Sequence, residues 1–361
     1  MENLGRREFI VGALSSLFFA FPKRAEAARR KGVRVKLPPF PFQETVITGK
    51  KKGKRILVVG GIHGNEPGAY KAADILRTVE VEEGELIVAP RSNFLSVLAN
   101  VRGYNGDMNR KFATLSPKDP DYPYVEKLKE LIRELRPDVV LSLHDGYGFH
   151  ILNPRFWGQC IVIDEENFNG YPLGKIAREV ARAVNEKVSR RRWKIPVFNT
   201  RTFSPDTKHP EQRKSLTYYC LSKCNIPAFC LEASKQLPTL ETKVRFHLLM
   251  MKEFFKIYGI KIKPDFDTLI SETGKFLERK RIYTARIRIN GREVEISSGK
   301  TFKVPKGSTF EFVAFHGSEG TNVISRDVNM NWRNFLVRRR ISFEVKDDFK
   351  RIFNVRLIVT S

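Results

Sequence analysis

The chain has 361 residues, 41% of them hydrophobic, and its 65 Lys and Arg against 40 Asp and Glu give a formal net charge of +25. This apolar content can build a real core, which excludes a disordered chain, and the length predicts two domains. The positive charge predicts attraction to an anionic polymer, an anionic membrane surface or an acidic substrate, and charge alone does not choose among these.

The first 27 residues have the layout of an export signal. Arg6 and Arg7 precede an apolar run that ends at Phe21, and small residues ending at Ala27 supply a cleavage site. The run is too short for a comfortable membrane span, which needs about 20 residues, and the paired arginines resemble a twin-arginine signal. We therefore predict a periplasmic protein cleaved near Ala27, with an uncleaved anchor as the alternative. Export makes nucleic acid a poor hypothesis for the partner.

Residues 28–53 are rich in Lys, Arg, Pro and Gly and predict an extended lead-in. Across residues 54–263, short β-branched runs alternate with amphipathic helical stretches. This alternation predicts an α/β domain with a mixed, mainly parallel sheet and helices on both faces, where ligands bind outside the carboxyl ends of the strands. The predicted strands are Ile56–Val59, Leu86–Ala89, Val139–Leu143, Cys160–Ile163 and Ala228–Leu231, with helices near Gly68–Val79, Tyr122–Leu135, Leu173–Val188, Glu211–Lys223 and Thr239–Tyr258.

Residues 264–361 predict a small antiparallel all-β domain. Apolar and polar residues alternate on both sides of Asn290-Gly291, a dipeptide that suits a type I′ hairpin turn. The other predicted strands are Thr301–Val304 and Thr309–Ala314, which repeat the hairpin pattern around Pro305-Lys306-Gly307, and Ile341–Val345 with Val355–Ile358.

His63 and Glu66 lie in a glycine-bordered turn between the apolar strand Ile56–Val59 and a predicted helix. An H-x-x-E pair often arises by chance, and the alternative is a loop histidine beside a helix-start carboxylate. The strand, turn and helix context favours two metal ligands that face one point. A catalytic zinc ion usually has three protein ligands and one position for water, and His-Glu-His is a recognised ligand set.

The third ligand is expected at another strand end, where Val139–Leu143 is followed at once by His144 and Asp145. We prefer His144 because it alone terminates a predicted core strand at the edge where His63 emerges. Asp145 either orients an imidazole from behind or is a solvated loop carboxylate. The competing histidines are His150, His209, His247 and His316.

A carboxylate is also needed to take a proton from the attacking water. Glu232 ends the apolar strand Ala228–Leu231 and is the candidate, a surface glutamate being the alternative. A cation is expected where charge develops on the scissile carbonyl, and Arg102 precedes the pair Asn109-Arg110, which could clamp a carboxylate. On so basic a chain, any one of these arginines could equally be solvated.

Taken together, these residues resemble the zinc carboxypeptidases of the M14 type and their aspartoacylase and succinylglutamate desuccinylase relatives. H-x-x-E, an arginine, D-x-N-R at residues 107–110, a strand-end histidine and a strand-end glutamate occur in the family's order across residues 56–232. The resemblance implies one zinc ion per chain bound by His63, Glu66 and His144, a carbonyl polarised by Arg102, a substrate carboxylate held by Asn109 and Arg110, and Glu232 as general base and acid.

The export signal and the β appendage are similar to the M99-type peptidases, which are periplasmic murein DL-carboxypeptidases linked to helical cell shape. Some members have glutamine at the first zinc position, where this chain has His63. The resemblance implies hydrolysis between γ-linked D-glutamate and meso-diaminopimelate in murein tripeptides, with peptidoglycan as partner. The positive charge of the chain predicts peripheral attraction to an anionic membrane or wall. The alternatives are an aspartoacylase-like amidohydrolase acting on an acylated amino acid and a non-catalytic wall-binding protein.

The chain has four cysteines, which allow three disulfide pairings, and the sequence favours none of them. Cys220 and Cys224 are one helical turn apart and could chelate a metal. Most of the cysteines have apolar neighbours, so buried thiols are the favoured interpretation. The other two are Cys160 and Cys230.

Overall fold

The computed structural model describes residues 32–278, 281–331 and 333–360, so the predicted export signal lies outside the described residues. None of the helices in these ranges is long and apolar enough to cross a membrane. The strands are β1 (Val33–Lys36), β2 (Thr45–Thr48), β3 (Lys51–Val59), β4 (Glu80–Ala89), β5 (Val139–Gly146), β6 (Cys160–Ile163), β7 (Val197–Asn199), β8 (Ala228–Ser234), β9 (Lys261–Lys263), β10 (Thr284–Ile289), β11 (Arg292–Ile296), β12 (Lys300–Pro305), β13 (Thr309–His316), β14 (Thr321–Ile324), β15 (Asn334–Val337), β16 (Ile341–Asp347) and β17 (Lys350–Thr360). The α-helices are α1 (Pro67–Leu76), α2 (Phe94–Ala99), α3 (Tyr122–Leu135), α4 (Leu173–Glu186), α5 (Leu216–Cys224), α6 (Leu240–Tyr258), α7 (Phe266–Ser271) and α8 (Thr273–Leu277).

The first half of the fold is a sheet with the strand order β2-β4-β3-β5-β8-β6-β7, and β9 pairs with β4. The central strands β4, β3, β5 and β8 are parallel, whereas β2, β9 and the β6–β8 pair are antiparallel. Successive residues of β3 point to opposite faces: Ile56 packs into the core that contains α1, α4 and α6, and Leu57 into the core that contains α3 and α5. The predicted α/β class, with helices on both faces, is confirmed.

The candidate site lies at one edge of this sheet, near the carboxyl ends of the parallel strands. β3 ends at Val59, four residues before His63, and Val59 pairs with Ser142 of β5. β5 lies beside β8 in a register that places His144 opposite Glu232. Because parallel strands end on the same side, residues distant in sequence become neighbours at the carboxyl edge.

The second half consists of two sheets, ordered β11-β10-β13-β1-β15 and β12-β17-β16-β14. Most pairs are antiparallel, as predicted, and β1–β13 and β12–β17 are parallel. Asn290 and Gly291 both have positive φ, 48° and 85°, which a type I′ turn requires. The expectation of a second hairpin around 305–307 is wrong, because β12 and β13 belong to different sheets. Here the turn carries the chain from one sheet to the other, and the two strands pack face to face through Phe302 and Phe310.

The two halves share structure at several points. Residues 28–53, predicted as an extended lead-in, contribute β1 to the second half and β2 to the first. The core of the second half also includes Phe94 and Val97 of α2. The predicted domain boundaries at 54 and 264 stay a prediction.

Candidate metal centre and active site

His63 and Glu66 occupy a tight turn that starts where β3 ends. Gly61 has a positive φ of 66°, a conformation that favours glycine. A Cβ on Gly64 would lie 1.9 Å from the Ser96 carbonyl carbon, so only glycine fits at position 64. Glu66 is the N-cap residue of α1, directly before Pro67. The turn therefore brings the imidazole and the carboxylate together, and each side chain is only about 2% to 3% exposed.

His144 completes a cluster of three ligand groups. Its Nδ1 lies 2.9 Å from Glu66 Oε2, and His63 Nδ1 lies 3.0 Å from Glu66 Oε1. The two Nδ1 atoms are 3.1 Å apart. The ligand atoms all lie within 4.8 Å of one another, so one ion could contact all three groups.

The opposite nitrogen of each imidazole is held by a second residue. His63 Nε2 lies 2.8 Å from Asp107 Oδ1, and His144 Nε2 lies 3.1 Å from Ser142 Oγ. With the protons on Nε2, both Nδ1 lone pairs face the cluster. Lone pairs that face each other across 3.1 Å in a buried site repel unless a cation lies between them. The donor set therefore fits a divalent metal ion.

Neither supporting residue received a role from the sequence. Asp107 was visible only as the acid of D-x-N-R, and Ser142 lies two residues before His144 on the same face of β5. The low pKa of Glu66 agrees with a carboxylate ligand. Burial works against the charge on Glu66, but His63 and His144 outweigh it and lower the pKa of Glu66 well below its ordinary range. Burial lowers the pKa of His144. Burial would also lower the pKa of His63, but Glu66 and Asp107 outweigh this effect and raise it.

Glu232 lies in β8 beside this cluster and is 6% exposed. Its Oε1 accepts a weak hydrogen bond from Cys230 Sγ at 3.5 Å, whereas Oε2 is buried and has no partner among the described residues. A Cβ on Gly146 would lie 2.7 Å from Oε2, so glycine makes room for this oxygen. Burial, and then the nearby charge of Glu66, raise the pKa of Glu232 well above its ordinary value.

Arg102 reaches the cluster from the loop that precedes D-x-N-R. Its side chain is 49% exposed, with Nη1 3.5 Å from Glu66 Oε1 and Nη2 2.9 Å from Asp107 Oδ2. Asn109 Oδ1 accepts a hydrogen bond from the Leu216 backbone N at 3.0 Å, which fixes Asn109 against the start of α5. Arg110 Nη1 donates to the Asn109 carbonyl, and neither residue has a hydrogen bond to the cluster itself.

The competing residues have other contacts. Asp145 is buried, accepts from Gly68 N and pairs with His247 at 2.9 Å, so it is not a solvated carboxylate and orients neither cluster imidazole. His150 and His209 pack around the Phe198 ring, and His316 is an exposed residue of β13. The four cysteines are free, and Cys160, Cys220 and Cys224 are buried.

The α/β fold and this cluster at its carboxyl edge fit a metal-dependent hydrolase. A family model described as the catalytic part of carboxypeptidases controlling helical cell shape, peptidase M99, matches residues 41–273. The chain belongs to this family, and the resemblance seen in the sequence is confirmed. It is therefore a hydrolase of the carboxypeptidase type.

Similar solved structures include the cell shape determinant protein Csd4 of Helicobacter pylori. A glutamine-to-histidine variant and a product-bound form of Csd4 each have 28% identity to this chain and a TM-score of 0.69, over 88% of this chain and 76% of theirs. The mDAP-bound form of Csd4, described as a D,L-carboxypeptidase, has 21% identity and a TM-score of 0.58 over 88% of this chain and 100% of its own, which shows the fold alone. No curated protein matches the chain.

Proposed function

We propose that this protein is an exported zinc carboxypeptidase that hydrolyses murein stem peptides between γ-linked D-glutamate and meso-diaminopimelate. The observation that carries the proposal is the convergence of three buried ligand groups beside Glu232, whose Oε2 has no partner in the described part of the chain. Further support comes from Csd4, for which product-bound, tripeptide-bound and mDAP-bound structures are known.

A zinc ion held by His63, Glu66 and His144 would supply Lewis acidity and lower the pKa of a water molecule. Glu232 Oε2 is the free acceptor beside that position, so it takes the proton of the attacking water and then donates it to the leaving amine. A carboxyl group beside the attacking water can hold this proton between the two transfers.

Three residues of one loop bind and orient the peptide. The half-exposed guanidinium of Arg102 stabilises the charge that develops on the scissile carbonyl oxygen. Asn109 uses its Oδ1 to accept from Leu216 N, which leaves its Nδ2 as a donor for substrate. With Arg110 it forms a clamp for the terminal carboxylate of the leaving residue, because an amide and a guanidinium both donate to carboxylate oxygens.

The proposed periplasmic location rests on the sequence of the first 27 residues, which resembles a twin-arginine signal with cleavage near Ala27. The basic surface fits an anionic wall polymer.

The experiment is an assay of the chelated and the zinc-restored protein. We expect meso-diaminopimelate to be released from murein tripeptide only after zinc is restored, with N-succinyl and N-acetyl amino acids left intact. Full activity in metal-free protein would refute the metal mechanism. Turnover of the acylated amino acids, with no diaminopimelate released from the tripeptide, would instead identify the aspartoacylase-like alternative.

A further inference from the structure

Lys235 is a second cation at the metal-ligand cluster, and the mechanism above gives it no role. It directly follows β8, and its backbone N donates to the Gly146 carbonyl at 2.8 Å, which fixes the start of the side chain. Its Nζ lies 3.3 Å from Asn65 Oδ1 and 3.6 Å from Glu66 Oε1. The side chain is 29% exposed, so a ligand in the site can reach the ammonium group.

Lys235 and Arg102 approach the same Glu66 oxygen from different elements of the fold. Arg102 comes from the loop that also carries Asp107, its ion-pair partner, and the proposed Asn109-Arg110 clamp. Lys235 comes from the end of β8 and has Asn65 as its other partner. Because Lys235 does not belong to the loop that carries the clamp, it can contact a part of the peptide other than the leaving residue.

The proposed substrate has an unusual charge on that side. In a γ-linked D-glutamate, the side-chain carboxyl forms the peptide bond, and the α-carboxylate therefore stays free on the acyl residue. In the D-isoglutamine form of the same peptide, an uncharged amide replaces this carboxylate. A flexible lysine with three donors can follow a carboxylate attached a few bonds from the reacting carbon.

We infer that Lys235 Nζ binds the free α-carboxylate of the acyl residue and thereby favours a γ-linked D-glutamate over a γ-linked D-isoglutamine, in which this carboxylate is an amide. This assignment rests on the proposed function, since it needs a γ-linked substrate. A hydrogen-bonded ion pair to a charged group changes kcat/KM by about 10- to 100-fold. If Lys235 only balances the charge of Glu66, its removal affects all substrates equally.

The test compares two enzymes with two substrates. Zinc-loaded wild-type protein and Lys235→Gln are assayed with murein tripeptide and with the same tripeptide carrying D-isoglutamine, whose α-carboxylate is an amide. We expect wild type to prefer the carboxylate, mainly through KM, and Lys235→Gln to lose the preference. Lys235→Arg should keep part of it, and Lys256→Gln, at an exposed position of α6, should keep all of it.

Equal losses on both substrates in Lys235→Gln, or no preference in wild type, would overturn the assignment. Dissociation constants of the two peptides from metal-free protein give the same comparison without turnover, and a thermal unfolding scan shows whether each variant is folded. A different result would refute the proposed function itself: wild type would release no diaminopimelate from either tripeptide.

Discussion

The metal-ligand cluster and the junction between the two halves of the fold both bury charged side chains. They differ in whether the buried polar atoms of these side chains have hydrogen-bond partners. At the junction, the fully buried guanidinium of Arg91 donates to Asp348 at 2.6 Å and to Asp74 at 2.7 Å. At the cluster, two imidazole nitrogens face each other and Glu232 Oε2 has no described partner. A fully satisfied polar network rigidifies a fold, whereas an unsatisfied buried atom is costly unless a ligand completes it. This difference fits a structural role for the junction and the proposed catalytic role for the cluster.

Replacement of Glu232 should have the largest effect, and it tests the proposed catalytic role of the cluster. Glu232→Gln should lower kcat by about 10²- to 10⁴-fold, because the amide cannot take the proton of the attacking water. The midpoint of thermal unfolding should not fall, since the amide keeps the shape of a carboxyl group whose Oε2 has no partner among the described residues. Turnover of murein tripeptide and a thermal scan measure the two quantities. A variant that stays active, or that unfolds at a much lower temperature, would indicate that Glu232 has a structural role and not a catalytic one.

Asp348→Ala should produce the opposite pattern. It leaves Arg91 buried with a reduced set of acceptors, and loss of one partner of a buried ion pair destabilises a protein by about 3–5 kcal/mol. Catalysis by the molecules that remain folded should be close to wild type. Urea unfolding gives the free energy, and Asp206→Ala is the control because its ion pair with Arg201 is exposed and should add little. An unchanged free energy of unfolding in Asp348→Ala would contradict the structural role.

The junction should also make stability depend on pH. Burial alone would raise the pKa of Asp348, but Arg91 and Lys71 outweigh it and hold the pKa below its ordinary value of 3.8. A carboxyl whose folded pKa is depressed stabilises the fold at pH values above its unfolded pKa, and the contribution is lost as pH falls from there through the folded pKa. The stability difference between wild type and Asp348→Asn should therefore be constant near neutral pH and shrink below pH 3.8. A difference that grows on acidification would reverse the assigned sign.

The two regions also differ in how far the sequence predicts them. The positions of His144 and Glu232 near the ends of β5 and β8 could be anticipated because each follows a short apolar run, and parallel strands end at one edge. The structure places His144 against His63 and Glu232 opposite His144, as that argument expects, and their chemical roles stay a prediction. The Asn290-Gly291 hairpin was likewise predictable, because both residues favour positive φ.

The contacts that the sequence did not predict depend on tertiary structure. Arg91 and Asp348 are 257 positions apart, and no local pattern relates them. Lys235 had no signal at all among the many lysines of a basic chain. β12 and β13 have the periodicity of a hairpin, yet they belong to separate sheets, because alternation fixes which face is buried and leaves the pairing partner open.

The smallest expected effect concerns a basic surface of the second half, formed by Arg326, Arg338, Arg339 and Arg340 around a cavity of about 650 Å³. These four arginines have no ion pair within the described ranges. Leu336, beside them on the edge strand β15, is 49% exposed. Four arginines against one aspartate, Asp327, leave this surface positive, which fits the predicted peripheral attraction to an anionic wall.

Replacing Arg338, Arg339 and Arg340 together by Gln should weaken binding to murein sacculi by roughly tenfold at low salt and leave hydrolysis of soluble tripeptide unchanged. The matched control replaces Arg190, Arg191 and Arg192 by Gln. This change removes the same charge from the first half. A pelleting assay across a salt series measures the binding, which should vanish near 1 M salt because the Debye length there is about 3 Å. If both triple variants lose binding equally, the attraction belongs to net charge and not to the second half. If only vesicles of anionic lipid distinguish them, the partner is the membrane surface and not the wall.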